Sequence, residues 1–303
     1  MKKIYKKKIL ILGSTGFVGS AIHKELRKNE KTKLLVHLHK NFNFRNLEKD
    51  QTLVSSLKNL SFDYIDKFSP DTIYHCARIS GIRKIGRIKS SIIGKYSNEK
   101  IINFFIKTNN QVQINYISGS LMYGNSRKKI SEENSLKPIS YAKDYIIAEK
   151  PFIKNNKNES LNVKIFRPAW ILGKRSWFKS CYLNFIEKNG FIPKYGDGTN
   201  IMNFIDLDDC AKIIIEGKRA LKRCSILNVY NPRLAIDQNN FIKILSKKKQ
   251  VPIVRIKKPS LFNNAFYEAM TSSIRLTTIH EEFVKNFKFC VNNIEDLIEK
   301  NIQ

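Results

Sequence analysis

The chain has 303 residues, 42% of them apolar, enough for one large α/β domain or a sheet domain with a smaller appendage. Its net charge of +29 invites a polyanion partner, but only 13 of the 55 basic residues are arginine, and the lysines are scattered instead of gathered into one arm or helix, which argues against nucleic acid. No apolar run approaches the roughly 18 residues that span a bilayer, and "MKKIYKKKIL" lacks a signal-peptide cleavage pattern, so a cytoplasmic protein with no membrane partner is expected.

The first predicted element is the apolar, β-branched run "KKILILG", which leads into "GSTGFVGSAIHKELRK", an amphipathic helix with Phe17, Val18, Ala21, Ile22 and Leu26 on its apolar face. Between them stands Gly13-Ser14-Thr15-Gly16-Phe17-Val18-Gly19. Glycines at this spacing, closing a strand and opening a helix, let the backbone approach a pyrophosphate held on the free N–H groups of the helix start. All seven residues are therefore candidate dinucleotide contacts.

The second strand is "KLLVHLHK". An acidic residue at its end would hydrogen-bond the adenosine ribose of NAD, and none is present. His39 and Lys40 stand there instead, with Arg45 nearby, and positive groups at this point suit the 2′-phosphate of NADP. NADP is therefore favoured over NAD. His37 and His39 alternate onto one side of this strand but lack a cysteine or carboxylate partner, so no metal is expected. The five cysteines form no CxxC pair and are read as reduced thiols.

Further on, "DTIYHCAR" and "VQINYISGSLMYG" read as buried strands leading to loops, with helical segments such as "YSNEKIINFFIK" between them. Strand and helix alternate, which predicts a parallel sheet covered on both faces. The basic clusters "SRKK" (126–129) and "SKKK" (246–249) read as solvated loops or helix ends, and Asp208 reads as a helix N-cap.

Taken in order and spacing, "GSTGFVG", "DTIYHCAR", "YISGSLMYG", "YAKDYIIAE", "FRPAWILG" and "YGDGTNIMNFIDLDDCA" resemble the extended short-chain dehydrogenase/reductases, the NAD(P)-dependent epimerase/dehydratase group, over almost the whole chain. The resemblance implies an α/β, Rossmann-type doubly wound parallel sheet with a smaller C-terminal substrate-binding cap. The core would comprise 1–175 and 200–232, and the cap 176–199 and 233–303. It carries over Ala77, Arg78, Pro168, Ala169 and Ile171 as further cofactor contacts, and by analogy a homodimer.

The resemblance also implies a tyrosine that moves the substrate proton while nicotinamide exchanges a hydride. Tyr141 holds that position, and Glu149 matches the family's later glutamate. Four residues after Tyr141, however, Tyr145 replaces the lysine that binds the nicotinamide ribose and lowers the tyrosine pKa. A cation about 4 Å away at an effective dielectric of about 20 is worth up to roughly 4 kcal/mol, or about three pKa units. Lys143 and Lys150 have the wrong helical spacing to replace it. The substrate-holding Ser/Thr would fall on Gly119, flanked by Ser118 and Ser120, either of which a different loop could present. The arginine that grips a phosphate in nucleotide-sugar enzymes is replaced by Met202, leaving Arg175 or Arg275 as substitutes. Trp170, Trp177, Phe178 and Tyr182 read either as pocket lining or as cap core.

Two functions follow. One is an NAD(P)-dependent oxidoreductase or epimerase/dehydratase-like enzyme acting on a carbonyl or hydroxyl of a small molecule, a nucleotide sugar among the candidates. The other is a catalytically degenerate NAD(P)-binding protein with a regulatory or assembly role.

Overall fold

Ile9, Leu10, Ile11 and Leu12 are each at most 2% exposed, as a central parallel strand buried on both faces requires. They lie in β1 (Lys7–Leu12) of a computed structural model that describes residues 7–39, 50–81, 83–108, 111–159, 161–257 and 264–302. In chain order there follow α1 (Phe17–Leu26), β2 (Thr32–Leu38), β3 (Gln51–Val54), α2 (Phe62–Phe68), β4 (Thr72–His75), α3 (Lys84–Lys107) and β5 (Gln113–Ile117). Next come β6 (Ser126–Ile130), α4 (Tyr141–Asn158), β7 (Asn162–Pro168), β8 (Trp170–Leu172), α5 (Asn184–Asn189) and β9 (Ile192–Lys194). Then come β10 (Ile201–Asp206), α6 (Leu207–Ala220), β11 (Ile226–Val229), β12 (Ala235–Asp237) and α7 (Gln238–Lys249). The last elements are β13 (Ile253–Arg255), α8 (Asn264–Thr271), β14 (Ile274–Leu276), α9 (Glu281–Asn286) and α10 (Ile294–Ile302).

The chain forms two compact units. The first comprises Met1–Ser118, Asp144–Phe166 and Ile214–Ile226, and the second Gly119–Lys143, Arg167–Ile213 and Leu227–Gln303. These boundaries differ from the expected ones: 119–143 and 167–175 fall in the second unit, together with most of 200–232. Composition gives no signal for these boundaries, because four of the five crossings fall inside α4, β7, α6 and β11, which run unbroken through them.

The large sheet has the order β11-β7-β5-β4-β1-β2-β3, and from β7 to β3 every neighbouring pair is parallel. After β1 the chain builds outward through β2 and β3, then crosses back to β4 and β5 on the other side. Such a reversal leaves the loops after β1 and β4 open at the carboxyl ends of neighbouring strands, the place where doubly wound folds take ligands. Beneath them Leu10, Leu35, Ile73, Ile114, Phe152 and Ile165 belong to one buried cluster.

The second unit carries a smaller mixed sheet, β12-β10-β14-β6 with β8 also on β10, and a β13–β9 pair. Its main cluster is strongly aromatic: Phe178, Tyr182, Phe204 and Phe241 are each at most 1% exposed, and Trp177 packs against them. Two sequence readings need correction here. "SRKK" forms most of β6 with its side chains 127–129 exposed; it is a strand because it pairs with β14 through Lys129 and Ile130. The cap of α6 is Asp206, whose carboxylate accepts from the N–H groups of Asp208 (2.9 Å) and Asp209 (3.3 Å), so Asp208 is not the cap. "SKKK" does end a helix, α7.

Candidate functional site

The glycine loop follows β1 directly, and steric crowding explains its composition. Gly13 has φ +80°, and a Cβ there would meet the Ala77 nitrogen at 2.7 Å; one on Gly19 would lie 2.1 Å from the Gly13 carbonyl oxygen. No side chain fits either place. Ser14 is buried and donates to the His37 carbonyl (2.9 Å), tying the loop to β2. Gly16 is extended at the start of α1, its N–H donating to the Gly13 carbonyl at 3.0 Å. No side chain caps α1 and no acid occupies its first turn. Thr15, Phe17 and Val18 are partly exposed around this helix start. The result is a helix N-terminus with backbone access and positive partial charge, suited to a pyrophosphate.

At the end of β2, His39 is exposed, whereas His37 is buried and hydrogen-bonded to the Ser55 carbonyl at 2.9 Å. Burial holds the His37 pKa below its ordinary value. Among the described residues no group of three or more His, Cys, Asp or Glu could hold a metal. Lys40 and Arg45 lie outside the described residues.

The carboxyl ends of β4 and β5 carry a set of side chains that the sequence presented separately. His75, fully buried, bonds to Asn98 (2.9 Å) and packs edge-on against Tyr116 and Phe152; burial lowers its pKa to about 4. It is a neutral core residue. Ser118 donates to the Glu149 carboxylate at 2.6 Å, and Glu149 is fully buried. The Tyr116 hydroxyl is pushed well above its ordinary pKa, chiefly by burial and next by the Glu149 charge, with Arg78 opposing. Tyr145 is 5% exposed, its hydroxyl accepts from the Gly81 N–H at 3.2 Å, and the Arg78 guanidinium lies over its ring. Position 145 is thus occupied by a packed, hydrogen-bonded ring. Neither the Ser118–Glu149 bond nor the Arg78–Tyr145 stack was foreseeable from spacing, since the partners are 31 and 67 residues apart and no motif links them.

In the second unit Tyr141 is partly exposed and is the first residue of α4. Its backbone entry is set by Ser140, at φ +53°, whose N–H donates to Glu268 (2.9 Å) and whose hydroxyl donates to the Ala265 carbonyl. Lys143 is held by the same Glu268 at 2.8 Å. Ser120 is buried in a short turn, while Gly119 is extended, and a Cβ there would meet nothing within 4 Å. Pro168 ends β7, the Ala169 N–H donates to the Val229 carbonyl (2.9 Å), and Ile171 pairs with Ile205 in β10. Met202 is fully buried in the aromatic cluster, and Arg175 and Arg275 are exposed. Trp170, Trp177, Phe178 and Tyr182 belong to or pack on that cluster, in keeping with the cap-core alternative.

The sheet order and the glycine loop define a Rossmann-type dinucleotide-binding protein. Residues 9–229 match the family described as NAD dependent epimerase/dehydratase, and the chain belongs to that family. No curated protein matches its sequence. Among solved structures it is similar to UDP-glucuronic acid 4-epimerase from Bacillus cereus in complex with UDP-glucuronic acid and NAD, at 18% identity, TM-score 0.77 and 97% of both chains covered. UDP-N-acetylglucosamine 4-epimerase from Methanobrevibacter ruminantium M1, in complex with UDP-N-acetylmuramic acid, matches at 17% identity and TM-score 0.79, over 98% of this chain and 97% of that one. dTDP-glucose 4,6-dehydratase from Bacillus anthracis, in complex with NAD, matches at 16% identity and TM-score 0.73, over 97% and 96%. Among the described residues no helix is long and apolar enough to cross a membrane.

Proposed function

We propose that the protein is an NAD(P)-dependent oxidoreductase or epimerase acting at a carbonyl or hydroxyl carbon of a nucleotide sugar, with Tyr141 as the proton-transfer group. The observation that carries this reading is the glycine loop, crowded too closely for any side chain and opening onto an uncapped helix start. When bound, a dinucleotide supplies or accepts a hydride at the substrate carbon. Tyr141 holds the proton at its phenolic oxygen and gives it to the substrate oxygen during reduction. Donation uses the protonated form that dominates at neutral pH, so reduction suffers less than oxidation from the missing lysine. The Ser118 proton is directed to Glu149, which leaves the Ser118 oxygen as an acceptor for a substrate hydroxyl.

The nucleotide-sugar class is supported by the ligands named for the similar structures. Preference for NADP rests on the missing acid after β2 and on His39, with Lys40 and Arg45 as the other positive groups in that sequence. A cytosolic homodimer is part of the reading, supported by the exposed Ile85, Ile92, Ile93 and Tyr96 of α3. The test is calorimetry with NADPH and NADH at physiological salt, followed by turnover of uridine- and thymidine-diphosphate sugars. Tyr141→Phe should lower turnover by roughly 10²- to 10⁴-fold with cofactor affinity unchanged. Unchanged turnover would remove Tyr141 from the mechanism.

A second reading is favoured by one observation, the buried Tyr145 bonded to Gly81 at the lysine position. It describes a nucleotide-binding protein without turnover, and cofactor binding with no conversion of any sugar nucleotide would select it.

A further inference from the structure

Arg78 follows Ala77 at the end of β4, and its guanidinium carbon is 4.3 Å from the centroid of the Tyr145 ring. The same ring's hydroxyl accepts the Gly81 N–H, so one buried side chain fastens both ends of the segment 78–81. That segment is sterically fixed elsewhere too: a Cβ on Gly81 would come 2.3 Å from the Gly86 backbone. Arg78 itself is exposed. A cation over an aromatic face is attracted by the ring's quadrupole and keeps its charge, so Tyr145 seats the guanidinium without neutralising it.

The location gives this charge a meaning. Gly13 of the phosphate loop backs directly onto Ala77, one residue before Arg78. With a pyrophosphate on the start of α1, the far half of a dinucleotide runs toward the carboxyl ends of β4 and β5. Arg78 stands at the first of these and acts on Tyr116 at the second.

We propose that Arg78, seated on Tyr145, is the cation of the nicotinamide half of the dinucleotide site and biases it toward the reduced cofactor. The oxidised nicotinamide ring carries a positive charge and the reduced ring does not, so a fixed guanidinium repels one form and spares the other. Position 145, where the family resemblance expects a lysine, thereby supports a charge brought from the end of β4. The inference rests on the reading that the glycine loop holds a dinucleotide.

The experiment is a paired titration with the oxidised and reduced forms of the same cofactor, on the full-length protein and on Arg78→Met, Arg78→Gln and Arg78→Lys. The wild type should bind the reduced form more tightly. The two neutral variants should shift the ratio of the two affinities toward the oxidised form by about tenfold, equivalent to about 1.4 kcal/mol, while Arg78→Lys keeps it within about threefold of wild type. Because the ratio is read within one variant, a smaller folded fraction weakens both forms equally and leaves it unmoved. A merely structural Arg78 would lower both affinities together, and an unchanged ratio in the neutral variants would overturn the proposal while the dinucleotide reading stands. Binding of neither form by the wild type would overturn both.

Discussion

The glycine loop of the first unit and the carboxylate-centred cluster of the second treat backbone donors in opposite ways. In the first, the phosphate loop is made by backbone: glycines crowd together so that N–H groups at the start of α1 stay accessible. In the second, buried polar side chains fasten loops. Glu132 is 8% exposed and accepts from the Asn228 N–H (2.7 Å), the Thr278 hydroxyl (2.6 Å) and the Ile279 N–H (2.9 Å). Asp209 likewise takes the N–H groups of Cys290 and Val291, and Arg167 donates to the Tyr123 hydroxyl, which in turn donates to Asn228. A ligand site needs donors left available, whereas a scaffold of short strands needs every donor satisfied.

That difference can be broken on either side. The largest effect is expected from Gly19→Val, which drives a Cβ into the Gly13 carbonyl. Dinucleotide binding should disappear from calorimetry, and the unfolding free energy should fall by about 3 kcal/mol. Retained binding would show that the loop can yield and that its glycines are not required by crowding. Glu132→Ala acts on the other side: three buried donors lose their acceptor, and urea denaturation should reveal a loss of about 3 kcal/mol with cofactor affinity preserved. A loss below about 0.5 kcal/mol would mean water replaces the carboxylate without cost.

The smallest stability effect, and the sharpest functional one, should come from Gly119→Ser. Backbone at φ −172° is open to any residue and the Cβ meets open space, so stability should change by less than about 1 kcal/mol. On the proposed mechanism the added hydroxyl would stand at the position that the family resemblance gives to the substrate-holding group, and turnover should rise. Turnover at or below that of the parent would show that Ser118 already fills the role.

The same contrast explains what the sequence made legible. The glycine loop could be read because its constraint acts over seven consecutive residues, and the β-branched runs of β1, β2 and β4 could be read because full burial of a parallel strand demands them. The support of Ser140 by Glu268, the Glu132 cluster and the stack of Arg78 on Tyr145 could not, since each depends on partners far apart in the chain with no fixed spacing. Asp206, Asp208 and Asp209 crowd one turn, and only the geometry shows that Asp206 is the one that accepts from the helix start. "SRKK" reads as a loop or helix end because three consecutive basic residues conceal an edge-strand pattern in which charge is tolerated.

The interleaving of the units bears on how the chain can fold as it leaves the ribosome. Its path passes between them at Ser118, Lys143, Phe166, Ile213 and Ile226, so the stretch that builds β1 to β5 must wait for β7 and the end of α6 before its unit is complete. The second unit waits longer, for α10, whose Leu297 and Ile298 are fully buried in its core. Incomplete chains would therefore expose apolar strand surface through most of synthesis, and the protein should depend on chaperones that hold such surfaces more than a chain of two consecutive domains would.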